Sequence, residues 1–66
     1  MTNWFTDELK YVRQTDNAVL FEDSEERDVW LPKSAIETDY DFVTAWPGDL
    51  VQVTITQRLA EEKGLC

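Results

Sequence analysis

The run Leu50-Val51-Gln52-Val53-Thr54-Ile55-Thr56 constrains this chain more than any other segment. Val, Ile and Thr favour a pleated backbone, and Pro47-Gly48-Asp49 just before them is turn chemistry. A strand cannot stand alone in water, because its unpaired N–H and C=O groups invite pairing with another chain. A chain of 66 residues has few residues with which to cover those edges. Several short strands joined by tight turns are the economical answer.

The remaining segments fit that answer. Ala18–Glu22 (AVLFE) is apolar enough to be a central strand, and Thr15-Asp16-Asn17 before it suits a turn. Leu9 to Gln14 reads as an earlier strand, with Leu9, Tyr11 and Arg13 sharing one face. Residues 3–8 either extend that strand or form a short helix, since Thr6 precedes Asp7 and Glu8. Arg27–Leu31 (RDVWL) is expected to pair antiparallel with the AVLFE strand across the polar loop Asp23-Ser24-Glu25-Glu26. Pro32 ends it, and Pro32–Ile36 reads as one helical turn that returns Ile36 to the core. Glu37–Asp41 is an acidic loop, and Asp41–Trp46 (DFVTAW) is a further candidate strand. After Thr56, a plausible cap, Arg58–Lys63 favours helix and Gly64 stops it.

The expected fold is therefore mainly β: a small SH3-like antiparallel barrel of about five strands with a short C-terminal helix, a single domain over residues 1–66. Closure would remove the free edges. The SH3-like label is an analogy of architecture and carries no function. A chain this small buries roughly 60% of its unfolded surface, so the aromatic side chains matter. Trp30 and Trp46 are expected in the core. Trp4 and Phe5 either cover an open barrel end or form an exposed apolar anchor.

Composition excludes several classes. Cys66 is the only cysteine and there is no histidine, so neither an internal disulfide nor a zinc site of soft ligands can be built within one chain. Cys66 could still cross-link two chains in air. No apolar run approaches the ~20 residues needed to span a bilayer. Met1-Thr2-Asn3-Trp4 has neither a basic nor an apolar leader character, so a cytoplasmic location is expected. Ser34 beside Lys33 lacks a base and is read as bonding local backbone. No enzyme activity and no cofactor are expected.

Charge is the strongest functional signal. Fourteen acidic residues face six basic ones, for a formal net charge of −8. The acids gather in two places. Glu22, Asp23, Glu25, Glu26 and Asp28 form one cluster, and Glu37, Asp39 and Asp41 form another. In an extended segment, alternate spacing puts the second set on one side. A calcium ion could use such oxygens, but the EF-hand spacing and its Gly are absent. Each cluster also has a plainer reading, a solvated loop that keeps the protein soluble and blunts an edge.

Ala18-Val19-Leu20-Phe21 followed by Val29-Trp30-Leu31-Pro32-Lys33-Ser34-Ala35-Ile36 resembles a pattern of small phage and prophage proteins, as does the tail Leu59-Ala60-Glu61-Glu62-Lys63-Gly64-Leu65. Thr56-Gln57-Arg58 departs from it, standing where a Pro and an aromatic are common. In size and acidity the chain is similar to anti-CRISPR proteins of the DNA-mimic type. That resemblance implies a phage-encoded inhibitor acting in a bacterial host cell. Its carboxylates would occupy the basic nucleic-acid-binding surface of a host defence complex, with no direct contact to nucleic acid or membrane, as a monomer or weak dimer. The alternative is an accessory module that binds protein through an aromatic groove around Trp4, Trp30 and Trp46.

Overall fold

A computed structural model of the chain describes residues 3–65. Four antiparallel strands form one sheet: β1 (Trp4–Gln14), β2 (Ala18–Glu22), β3 (Asp28–Pro32) and β4 (Leu50–Thr56), in the order β3-β2-β1-β4. A short helix, α1 (Gln57–Glu62), follows β4 directly. The sheet is open. The expected closed barrel and its fifth strand are not formed.

The missing strand is Asp41–Trp46, which folds instead into a 3-10 turn at Phe42–Thr44. Local polar chemistry overrides β propensity there. The Asp41 carboxylate accepts from the Val43 N–H at 2.9 Å, as a capping side chain does. The Phe42 ring turns inward onto Tyr11, Phe21 and Tyr40, with centroids 6.2, 6.2 and 5.3 Å away.

β1 is longer than the expected Leu9–Gln14, because residues 4–8 continue the strand. Its first half pairs with β4, from Trp4↔Thr56 to Lys10↔Leu50. Its second half pairs with β2, from Lys10↔Glu22 to Gln14↔Val19. Between Tyr11 and Arg13 the register shifts by a bulge at Val12. A bulge adds one residue to one strand and so reverses which face the following side chains take. Tyr11 therefore sits opposite inward Phe21, while Arg13 sits opposite Leu20 on the outer face. The single face expected for Leu9, Tyr11 and Arg13 is broken by that extra residue.

The core lies on the inner face. Leu9, Tyr11, Val19, Phe21, Val29, Leu31, Val51, Val53, Ile55 and Ala60 are buried there. Phe5, Ile36, Tyr40, Phe42, Ala45, Leu59 and Leu65 pack around them. Neither Trp30 nor Trp46 joins this core: Trp30 is 37% exposed and Trp46 74%. Val29 and Leu31 take the inward positions of β3, so Trp30 between them must point out. There the Arg13 guanidinium lies 5.6 Å from its ring centroid. The pair flanks Leu20 in one cross-strand row and shields it from water.

Both helix-end expectations hold. The Thr56 hydroxyl accepts from the Leu59 N–H at 3.2 Å. Gly64 adopts a φ of 74°, and the Gly64 and Leu65 N–H groups bond Glu61 and Ala60 carbonyls, a Schellman termination. The turn after Pro32 also forms, at Lys33–Ala35, but it is closed by the Ile36 N–H on the Lys33 carbonyl with no side-chain cap. The expected bond from the Ser34 side chain to local backbone is not among the hydrogen bonds of the described residues.

The β2–β3 loop carries a strained residue. Glu26 has a φ of 62°. The Glu26 N–H bonds the Asp23 carbonyl, and the Asp23 N–H bonds the Arg27 carbonyl. This is a tight turn closed by one left-handed residue, a position that favours Gly. Glu26→Gly is expected to stabilise the fold by about 0.5–1 kcal/mol, since the left-handed penalty of roughly 1–2 kcal/mol exceeds the added chain entropy. Thermal melting should show a rise of about 3–6 °C; a fall would place the strain elsewhere.

Candidate protein-binding surface

The two acidic clusters are built differently. In the hairpin, Asp23 is an internal organiser. Its carboxylate accepts from the Glu25 and Arg27 N–H groups at 2.9 and 3.0 Å and from Arg27 Nε at 3.1 Å. Its side chain is 7% exposed. Arg27 also reaches Glu25 at 3.4 Å. Glu22 pairs across the sheet with Lys10 at 3.8 Å. Glu25, Glu26 and Asp28 remain exposed, but the hairpin acids share the cations Lys10 and Arg27.

The Arg27 N–H, foremost, and then the Glu25 N–H and the Arg27 guanidinium hold the Asp23 carboxyl below its ordinary 3.8, against the opposing effect of burial. A lowered folded value means that the ionised loop stabilises the fold above the unfolded value. That contribution disappears as pH falls through the folded one. Acid titration is expected to release the Arg27 amide below pH 3.8, visible as a loss of its protection relative to the intrinsic exchange rate at that pH. An Arg27 amide that stays protected in full at strong acid would contradict this.

The second cluster lies on a wall beside β4. The Glu37 N–H bonds the Thr54 carbonyl at 2.8 Å and the Thr54 N–H bonds the Glu37 carbonyl at 2.9 Å. This bridge attaches the segment to the outer edge of β4 and blunts that edge. Thr38 and Tyr40 are half-buried, while Glu37, Asp39 and Asp41 between them are exposed. Thr38 Oγ1 donates to the Gln52 carbonyl at 2.8 Å. All three acids are exposed, but the segment bends at Asp39 and the Asp41 carboxylate is taken up by the Val43 N–H, so only Glu37 and Asp39 line the same groove.

The wall is pinned from beneath. Tyr40 and Phe42 rest in the aromatic cluster with Tyr11 and Phe21. Gln14, turned inward beyond the bulge, donates to the Phe42 carbonyl at 2.6 Å and to the Tyr11 hydroxyl at 3.0 Å. The Tyr40 hydroxyl donates to Asp49 Oδ2, which also accepts from the Trp46 N–H at 3.3 Å. The hydrogen bond to Asp49, joined by burial, raises the Tyr40 hydroxyl above its usual range. Asp49 thereby ties the acidic wall to the turn that carries Trp46. In that turn the Asp49 N–H bonds the Trp46 carbonyl, the Gly48 N–H bonds the Tyr11 carbonyl, and Gly48 has a φ of 97°. Pro then Gly at the two central positions fits a type II turn.

An open groove of about 920 Å³ runs between the wall and the outer face of β4, lined by Ile36, Glu37, Thr38, Asp39 and Tyr40 on one side and Leu50, Gln52 and Thr54 on the other. A cross-strand row, Asp28–Glu22–Lys10–Leu50, links it to the hairpin. Three strand spacings of about 4.8 Å put Asp28 roughly 14 Å from Leu50. The clusters thus stand at opposite margins of one face, with Lys10 between them.

Charge balance separates the clusters further. No Lys or Arg occurs from Ser34 to Gln57, a stretch that holds Glu37, Asp39, Asp41 and Asp49. Sequence reasoning treated the hairpin and the loop as equals, and missed Gln14, Tyr40 and Asp49 as the residues that position the loop. The available signal was this long interval without a cation. Among the described residues no three His, Cys, Asp or Glu side chains gather closely enough to hold a metal ion. No helix among them is long and apolar enough to cross a membrane. Cys66 lies outside the described residues. The chain matches no family model, no curated protein and no solved structure.

Proposed function

We propose that this protein acts by binding rather than by catalysis, as an acidic inhibitor. Glu37, Asp39 and Asp41, together with the exposed hairpin acids Glu25, Glu26 and Asp28, stand in for nucleic-acid phosphates on a basic surface of another protein. The observation that supports this reading is a run of three exposed acidic residues, Glu37, Asp39 and Asp41, on a pinned segment, with no cation in the sequence from Ser34 to Gln57. Carboxylates accept paired hydrogen bonds from Arg as phosphates do. The resemblance to small phage proteins directs the proposal toward a host defence complex of the CRISPR type.

The test is competition. Labelled DNA is bound to purified CRISPR surveillance complexes and this protein is added at about 0.05 and 0.3 M salt. The proposal expects displacement of DNA from a susceptible complex, weaker at the higher salt. Full retention of DNA across such complexes at saturating protein would oppose it.

The second reading, an aromatic groove around Trp4, Trp30 and Trp46, gains from the exposure of all three. None of them lines the groove beside β4. Only Trp46 is tied to the acidic wall.

A further inference from the structure

An open sheet has two outer edges, here those of β4 and β3. The β4 edge is taken up by the Glu37 bridge to Thr54 and by Thr38 Oγ1 on the Gln52 carbonyl. The β3 edge is not. Its hydrogen-bond phase follows from the two ends of the β2–β3 ladder. The Asp23 N–H bonds the Arg27 carbonyl and the Lys33 N–H bonds the Asn17 carbonyl, with partners from Glu22↔Asp28 to Ala18↔Pro32 between them. Antiparallel partners alternate between exchanging bonds and exchanging none. Val29 and Leu31 therefore bond β2, while Asp28, Trp30 and Pro32 turn their backbone groups to the outer edge. Among the described residues no hydrogen bond reaches those outward groups.

This edge is complementary to itself. Pro32 has no N–H, so the outward donors are those of Asp28 and Trp30. Two copies of β3 laid antiparallel about a two-fold axis at Trp30 satisfy both. Each Trp30 N–H meets the second copy's Trp30 carbonyl, and each Asp28 N–H meets the second copy's Pro32 carbonyl. The side chains match in the same register. Trp30 faces Trp30 on the outer face, and Val29 faces Leu31 on the inner face. A slip that sets Asp28 opposite Trp30 would put Leu31 opposite Arg27. The reverse slip sets Trp30 opposite Pro32, which has no donor to return. Local charge agrees as well. Arg27 and Lys33 bracket the strand, Arg13 lies over Trp30, and Asp28 is the one acid within β3. Self-pairing brings Asp28 beside the second copy's Lys33. A strand of unrelated sequence could use the two donors but has no reason to meet this pattern of side chains.

We propose that two copies of this protein associate through their β3 edges, antiparallel about an axis at Trp30, joining two four-stranded sheets into one. The proposal does not depend on the acidic-face reading. It leaves the Glu37–Asp41 segments, attached to β4, at the two outer margins of the joined sheet. The contact is one short strand and one aromatic pair, well below a standard interface, so the dissociation constant is on the order of 0.1 mM. Each copy carries a net charge of −8. Salt screens that repulsion and should tighten the dimer, the opposite of its effect on binding to a basic partner.

The experiment follows sedimentation equilibrium and amide hydrogen exchange from about 0.02 to 2 mM protein, with reductant present so that Cys66 cannot link chains. The mass should rise from one chain toward two. The Asp28 and Trp30 amides should gain about fivefold protection over that range, while Val29 and Leu31, already bonded to β2, should not change. Trp30→Glu sets like charges opposite each other and should weaken association about tenfold or more. Asp28→Pro removes a donor that bonds nothing within the chain, at a strand start where Pro is tolerated, and serves if Trp30→Glu folds poorly. Mixing Trp30→Glu with Trp30→Lys should restore association, because opposite charges then meet at the axis. A single-chain mass with unchanged Asp28 and Trp30 exchange at the highest concentration overturns the proposal. So does a dimer that survives both Trp30→Glu and Asp28→Pro, and a failure to recover on mixing overturns the axis at Trp30. None of these results bears on the acidic-face reading, which the DNA competition tests separately.

Discussion

Phe21→Ala is expected to leave much of the protein unfolded at room temperature. Phe21 is fully buried and its ring meets Tyr11 at 6.5 Å and Phe42 at 6.2 Å between centroids. Truncating a buried Phe costs about 3–5 kcal/mol, counting the lost burial and the cavity left behind. A domain of this length has a total stability on the order of 3–10 kcal/mol. The site should suffer before the sheet does. Tyr40 and Phe42 lean on this cluster, so any remaining folded molecules should show a loosened acidic wall. Urea unfolding followed by circular dichroism measures the first effect, and hydrogen exchange at Val43 and Trp46 the second. A loss under ~1 kcal/mol would mean that the aromatic cluster is not what holds the core.

The second large effect is on binding. Glu37→Lys, Asp39→Lys and Asp41→Asn in one chain is expected to weaken binding to a basic partner about a hundredfold. Each exposed pair contributes roughly 0.2–1 kcal/mol, and reversal replaces attraction with repulsion of similar size, giving about 3 kcal/mol in all. Asn is chosen at position 41 because its side-chain oxygen still accepts the Val43 N–H that caps the turn. The fold should therefore be retained, and the melting temperature checks that. Glu25→Lys with Glu26→Gly in the hairpin should weaken binding less, because Glu25 is already paired with Arg27. Equal losses from the two variants would argue for a diffuse charge effect in place of a localised surface.

Much of the fold was legible in the residues. The β2, β3 and β4 segments, the Pro47-Gly48 turn, the Thr56 cap and the Gly64 stop follow from local chemistry that tertiary packing had no cause to override. The Trp30 error was avoidable, since Val29 and Leu31 on either side claim the inward face of a strand. The bulge at Val12 leaves no such mark. It is set by what its reversal of faces permits: Arg13 over Trp30 outside and Gln14 against Phe42 inside. The expected fifth strand failed because Asp41 caps a turn and Phe42 has an aromatic cluster to join, neither visible from β propensity alone. At the site, the exposure of Glu37, Asp39 and Asp41 is what acidic side chains in a surface segment favour. The tie from Tyr40 through Asp49 to Trp46 spans residues whose proximity only the folded chain supplies.

The most direct test of the account is an amide-shift map of the isotope-labelled protein titrated with a synthetic Arg-rich peptide. The account predicts shifts concentrated at Glu37–Asp41 and Leu50, fading as salt is raised. Shifts confined to Glu22–Asp28, or spread evenly over every exposed carboxylate, would contradict it.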